Sequence, residues 1–155
     1  SSFQALVENH NPYQKEVIER FYQLHREDVQ VMDRWFSVQS ISPSISVAGI
    51  RELMSHKLFT MTNPNRIRSV FGAFTQNHIQ FHCQEGYQLM TEVIIELDAL
   101  NPQIAARFAS VFNHWRRFTS HYSKLQEAEL KTISEVDNLS NNVYEIVHIA
   151  LEGKT

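Results

Sequence analysis

The sequence predicts an all-α fold: an irregular superhelix, or solenoid, of about eight or nine short helices. Three observations lead there. Apolar residues recur at three- and four-residue intervals almost throughout. Only four glycines and four prolines occur in 155 residues, which leaves little room for β-turns. Three of those prolines follow asparagine, in Asn11-Pro12, Asn63-Pro64 and Asn101-Pro102. Such a pair suits a helix start, because the asparagine oxygen accepts from exposed N–H groups of the first turn. Proline at the first helical position gives up only an N–H that would be unpaired anyway.

Taken in order, Asn11-Pro12 opens a helix whose apolar face is Val17, Phe21 and Leu24. Val31, Trp35 and Val38 mark a second helix, and Ser40-Ile41-Ser42-Pro43-Ser44 breaks it. A short helix carrying Ile50, Leu53 and Met54 follows, then a loop to Asn63-Pro64 and the face Ile67, Val70, Phe71, Phe74. Gly72 lies inside that helix at a cost of about 1 kcal/mol against alanine, for which close helix–helix packing is the expected compensation. Residues 76–86 read as irregular. The pattern resumes from Tyr87 through Met90, Val93, Ile94 and Leu97 to Leu100. Asn101-Pro102 starts a helix with Ile104, Phe108, Val111, Phe112 and Trp115. Tyr122, Leu125, Leu130 and Ile133 mark another, and Val143, Ile146, Val147 and Ala150 the last, stopped by Gly153. The paired starts are spaced near the ~40–47-residue period of two-helix ARM and HEAT repeats. An ordinary bundle competes, but many short helices seldom close around one bundle core.

Composition bounds the function. A chain of 155 residues is one domain or a piece of one, and the Ser1-Ser2 start leads us to expect a processed product or a fragment. A net charge of −3 with 20% charged residues argues against a disordered tail or a generally basic nucleic-acid binder. The single cysteine, Cys83, excludes an internal disulfide framework and fits a reducing compartment, the cytoplasm. No apolar run reaches the ~18 residues of a membrane span, so no membrane partner is expected.

A catalytic apparatus is not evident. The eight histidines contain no His-Glu-x-x-His string, in which two imidazoles on one helix face hold zinc beside a glutamate. His78, His82 and Cys83 form the one near-cluster, without a carboxylate to complete it, and loop histidines in ordinary hydrogen bonds are the better reading. There is no Gly-x-Ser-x-Gly elbow, P-loop or Gly-x-Gly-x-x-Gly. His114-Trp115-Arg116-Arg117-Phe118 could stack on a nucleic acid. Core positions at Trp115 and Phe118 with solvated arginines fit the acidic chain better, so no nucleic-acid partner is expected. Gln103 and Arg107 share a helix face after Asn101, and Arg68 holds a similar place after Asn63. A guanidinium beside an amide makes a competent receptor for a carboxylate and a peptide carbonyl. Ordinary surface residues, or ion pairs with Asp98 or Glu96, are statistically the commoner outcome.

The strings VMDRWFSVQS, LFTMTNPNRIRSVFGAF, NPQIAARF and LSNNVYEIVHIAL, in that order, resemble the C-terminal helical domain of bacterial aminopeptidase N, a zinc-dependent alanyl aminopeptidase family. The resemblance runs from about Val31 to the end and implies that residues 1–155 are one helical unit, the second half of that domain. It implies zinc and the catalytic groups in an upstream domain of the same polypeptide, with no cofactor and no catalytic residue in this chain. The implied partners are that upstream domain and peptide substrates. The implied role is to cap the active-site cavity, exclude folded proteins and grip the far end of a peptide. Arg107 and Gln103 fall on the family's cavity-lining pair, and Arg68 on a further cavity arginine. Where the family often carries a Gly-Ser-Gly insertion, this chain has the shorter HCQEGY, which changes the loop around His82. Cut from an upstream half, such a solenoid exposes an apolar face, and self-association is expected. Two other readings stand beside this one: a free-standing helical-repeat interaction module, and a metallohydrolase built on His78, His82 and Cys83.

Overall fold

The computed structural model describes residues 2–8 and 12–153. Every regular element among them is helical. The chain divides into two compact units, Ser1–Phe81 and His82–Thr155.

The first unit holds α1 (Ser2–Glu8), α2 (Gln14–His25), α3 (Val29–Ile41) and α4 (Val47–Met54). Then α5 (Pro64–Ile67), a π-helical turn (Arg68–Gly72) and α6 (Ala73–Thr75) run on as one helix over 64–75. The segment α1 went unpredicted. Asn11 lies outside the described residues; α2 begins at Gln14 with Tyr13 as an N-cap whose side chain makes no cap bond. Leu24, expected on the apolar face of α2, is 76% exposed, and Tyr22 is buried in its place. The other starts follow the rules: Asp28 accepts from Val31 N at the head of α3, Ser46 from Gly49 N at α4, and Asn63 from Arg66 N at α5.

Helix α3 is the hub. Its Met32, Trp35, Phe36 and Val38 are buried with Ile50, Leu53, Ile67, Val70, Phe71 and Phe74. Phe36 is fully buried, with the rings of Trp35 and His56 edge-on to it at 5.0 and 5.5 Å. A phenylalanine buried this completely contributes about 1.5–3 kcal/mol. Buried Asn77 closes the far end of α3, donating to the carbonyls of Ser40 (3.1 Å) and Ser42 (2.8 Å). The helix runs through Ile41, two residues into the expected break, and ends at Ser42-Pro43, where the buried amide supplies bonds the chain itself cannot.

Gly72 contradicts its expectation. A Cβ built there meets nothing within 4 Å, so close packing does not explain the glycine. It closes the π turn with ordinary helical backbone angles, φ −61° and ψ −42°.

The second unit holds α7 (Gln84–Leu100), α8 (Pro102–Ala109), 3₁₀ turns at Ser110–Phe112 and Trp115–Arg117, α9 (Ser120–Ser134) and α10 (Asn141–Glu152). The helix expected to run from Asn101 to Trp115 ends at Ala109 and continues as the two 3₁₀ turns. Helix α7 is packed by α8 and α9, and α10 by α8 and α9. Leu89, Met90, Val93, Ile94 and Leu97 of α7 are fully buried or nearly so, while Leu100 is half exposed. Gly153 ends α10 at φ 77°, the left-handed stop expected of it.

Candidate functional site

The Asn101 corner determines where Gln103 and Arg107 stand. Asn101 N donates to Leu97 O at 2.6 Å and ends α7, while Asn101 Oδ1 accepts from Ile104 N at 3.2 Å and starts α8. One residue thus caps two helices. Helix α8 then buries Ile104, Ala105, Phe108 and Ala109, and the opposite stripe carries exposed Gln103 and Arg107 one turn apart. Among the described residues neither side chain makes a hydrogen bond or an ion pair.

Of the commoner outcomes expected, both side chains are exposed on the surface, and an ion pair of Arg107 with Asp98 or Glu96 does not form among the described residues. Asp98 is buried (8% exposed) and accepts from Ser140 N at 2.8 Å and from Ser140 Oγ. Arg107 therefore presents an uncompensated guanidinium to solvent, beside an amide.

NPNRIR carries two arginines with opposite fates. Arg66 is buried: its Nε donates to Asp33 Oδ1 at 2.8 Å, its Nη1 to Leu58 O, and the guanidinium lies 4.6 Å from the Phe36 ring centroid. It is a structural pin. Arg68, two residues on, is exposed, and its Nη1 donates to Asn65 Oδ1 at 3.3 Å. Arg68 belongs to the first unit, and Gln103 and Arg107 to the second. A cleft of about 500 Å³ in the first unit, with Ile18, Trp35, Gln39, Leu53 and His56 in its wall, includes none of these three residues. His56 there is held below its ordinary pKa by burial first, then by Lys57 and Arg66, and its Nδ1 accepts from Leu58 N at 3.0 Å.

Of the near-cluster His78, His82 and Cys83, the last two make specific hydrogen bonds. His82 Nδ1 lies 2.7 Å from Tyr87 Oη, and Gln126 Nε2 donates to the same oxygen at 3.2 Å. Burial pushes the Tyr87 phenol up to about 12, against the Gln126 hydrogen bond, which favours the phenolate. Cys83 heads α7, its Sγ accepting from Gly86 N at 3.3 Å, and burial raises its thiol pKa. Among the described residues no three His, Cys, Asp or Glu side chains group closely enough to hold a metal ion, so a zinc ion does not fit them.

In the basic-aromatic string, Trp115 is buried and donates from Nε1 to Ala150 O at 3.0 Å. Arg116 stacks 4.0 Å from the Trp115 ring centroid and donates to Ala150 O and Leu151 O at 2.7 and 2.8 Å, closing the last turn of α10. Phe118, expected in the core, is 36% exposed and packs on His82. Sequence spacing could not show the long-range partners of Arg66, Asp98, Arg116 or Gln126. One signal was available, because aspartate in the last turn of a helix opposes the macrodipole and asks for a partner.

Fold and site together define a helical-repeat domain that presents polar side chains from a helix face. The chain belongs to the family described as "Domain of unknown function (DUF3458_C) ARM repeats", whose model matches residues 1–152, and is an aminopeptidase N-like C-terminal helical domain. It is 38% identical over 125 residues to "Aminopeptidase N" of Escherichia coli, covering 78% of this chain and 14% of that protein. Against "Aminopeptidase N" of Haemophilus influenzae it is 37% identical over 136 residues, 85% of this chain and 16% of that protein. The crystal structure of Legionella pneumophila aminopeptidase A in complex with aspartic acid superposes with a TM-score of 0.91 at 27% identity, over 98% of this chain and 18% of that one. This chain thus spans a small fraction of each relative. Among the described residues no helix is long and apolar enough to cross a membrane.

Proposed function

We propose that residues 1–155 act as one helical unit, the second half of the C-terminal domain of a zinc aminopeptidase of the aminopeptidase N type. In this reading the domain caps the active-site cavity and limits entry to short peptides. Zinc and every catalytic group belong to the upstream catalytic domain, the principal partner of this chain, and no step of the reaction is assigned to residues here. The protein works in the cytoplasm, where a cysteine outside any disulfide, such as Cys83, stays reduced.

One observation carries the reading: Arg107 and Gln103 stand one turn apart on the exposed stripe of α8 with no partner among the described residues. A guanidinium left unpaired beside an amide suits the carboxylate and the last carbonyl of a peptide. Arg68, exposed in the first unit with its Nη1 on Asn65 Oδ1, is proposed as a further substrate-binding residue.

The test is kinetic, in the full-length polypeptide. Arg107→Ala raises KM for tripeptides by about 3- to 10-fold, the range of a solvent-screened charge-assisted contact, and leaves single-residue chromogenic amides unchanged, because the lost contact is remote from the scissile bond. Equal loss on both substrates refutes the assignment.

A further inference from the structure

Asp98 occupies a place that local helix physics disfavours. It lies in the last turn of α7, where the helix already carries partial negative charge, and its carboxylate is buried. Such a conflict between local preference and observed residue marks a position where a tertiary demand prevails. The demand is visible at the start of α10, 42 residues away: Ser140 N and Ser140 Oγ both donate to the Asp98 carboxylate.

Ser140 has a second duty. Its Oγ accepts from Val143 N at 3.2 Å and so caps α10 while giving its own hydrogen to Asp98. The carboxylate thereby faces the positive end of α10, which offsets its unfavourable place on α7. The end of α7 and the beginning of α10 are clasped at one point. Helix α8 leaves the same corner three residues later through Asn101 and packs on both α7 and α10. Its buried side chains sit on this clasped pair, and its exposed stripe carries Gln103 and Arg107.

We propose that Asp98, acting through Ser140, is a positioning residue for peptide recognition by Gln103 and Arg107. The clasp fixes the pose of α8, which packs on both clasped helices. This inference rests on the functional reading above. It adds that the aim of the Arg107 side chain is set from the α10 side of the unit.

The experiment uses the full-length polypeptide with a tripeptide and a single-residue chromogenic amide. Ser140→Ala removes one of the two clasp bonds and the α10 cap, and raises peptide KM by about 3- to 10-fold. Peptide kcat and both amide constants stay unchanged. Ser140→Thr keeps a hydroxyl and restores the peptide KM. In an Arg107→Ala background, Ser140→Ala adds nothing further to peptide KM, which a general loss of folding would not reproduce. Should Ser140→Ala fold poorly, Asp98→Asn, which keeps the side-chain shape and one acceptor, is read in the same way. The proposal is overturned if Ser140→Ala leaves peptide KM alone, moves both substrates together, or adds fully to Arg107→Ala. A neutral Arg107→Ala would instead remove the functional reading itself.

Discussion

Replacing Tyr87 by phenylalanine isolates one buried oxygen. Tyr87 is 1% exposed and Gln126 also 1%, so no water reaches the Gln126 amide hydrogen once the Tyr87 hydroxyl is gone. His82 Nδ1 loses its 2.7 Å partner in the same step. Stranding a buried polar group costs about 1–3 kcal/mol, and the ring itself stays packed against Phe112, so the expected loss is about 2 kcal/mol. With a urea m-value of about 2 kcal/mol/M, that moves the midpoint of unfolding down by about 1 M. Tyr87→Phe with Gln126→Leu recovers most of the loss, because the buried Gln126 amide is then no longer left without its acceptor. The pH dependence has a definite sign. The folded phenol holds its proton to about 12, while an unfolded tyrosine releases it near 10. Above pH 10 the unfolded chain therefore binds fewer protons and is favoured. The stability that Tyr87 contributes is complete below pH 10 and is lost as pH rises to 12, so the gap between wild type and Tyr87→Phe narrows over that window. A Tyr87→Phe midpoint within about 0.2 M of wild type at neutral pH, or a gap that widens above pH 10, refutes the reasoning.

Three further outcomes are expected. Asp33→Ala leaves the Arg66 guanidinium buried without its carboxylate and costs about 2–3 kcal/mol, reduced from the fully buried case because Asp33 is one-fifth exposed; thermal melts check it, and Arg66→Met in the same chain should restore much of the loss. Gly72→Ala raises stability by about 0.5–1 kcal/mol, since nothing stands within 4 Å of the new methyl and the backbone is already helical; a lower melting temperature contradicts this. The isolated chain self-associates, with Leu24 at 76% and Val29 at 63% exposure, so its sedimentation coefficient should rise with concentration; a monomer at all concentrations with high thermal stability contradicts it.

Helix identity was legible because it is written locally, in spacing and caps. Asn63, Asn101 and Gly153 do what their types predict. What failed was whatever depended on partners distant in sequence. Positions 66 and 68 lie on roughly opposite helix faces, and nothing nearby says that Asp33 waits for the first of them. Gln126 is polar and reads as surface, yet it is buried because Tyr87 meets it from another helix. Leu24 reads as core but falls at the open end of α2. That Arg107 and Gln103 share the exposed face of α8 is legible from residue type and spacing; that Asp98 is held by Ser140 and not by Arg107 is visible only in the structure.

The central claim is that Arg107 receives the far carboxylate of a peptide. The direct measurement compares one tripeptide as its free acid and as its C-terminal amide, on full-length wild type and Arg107→Ala. The account predicts that wild type favours the acid by about 3- to 10-fold in kcat/KM and that Arg107→Ala abolishes the difference. An acid preference that survives in Arg107→Ala contradicts it.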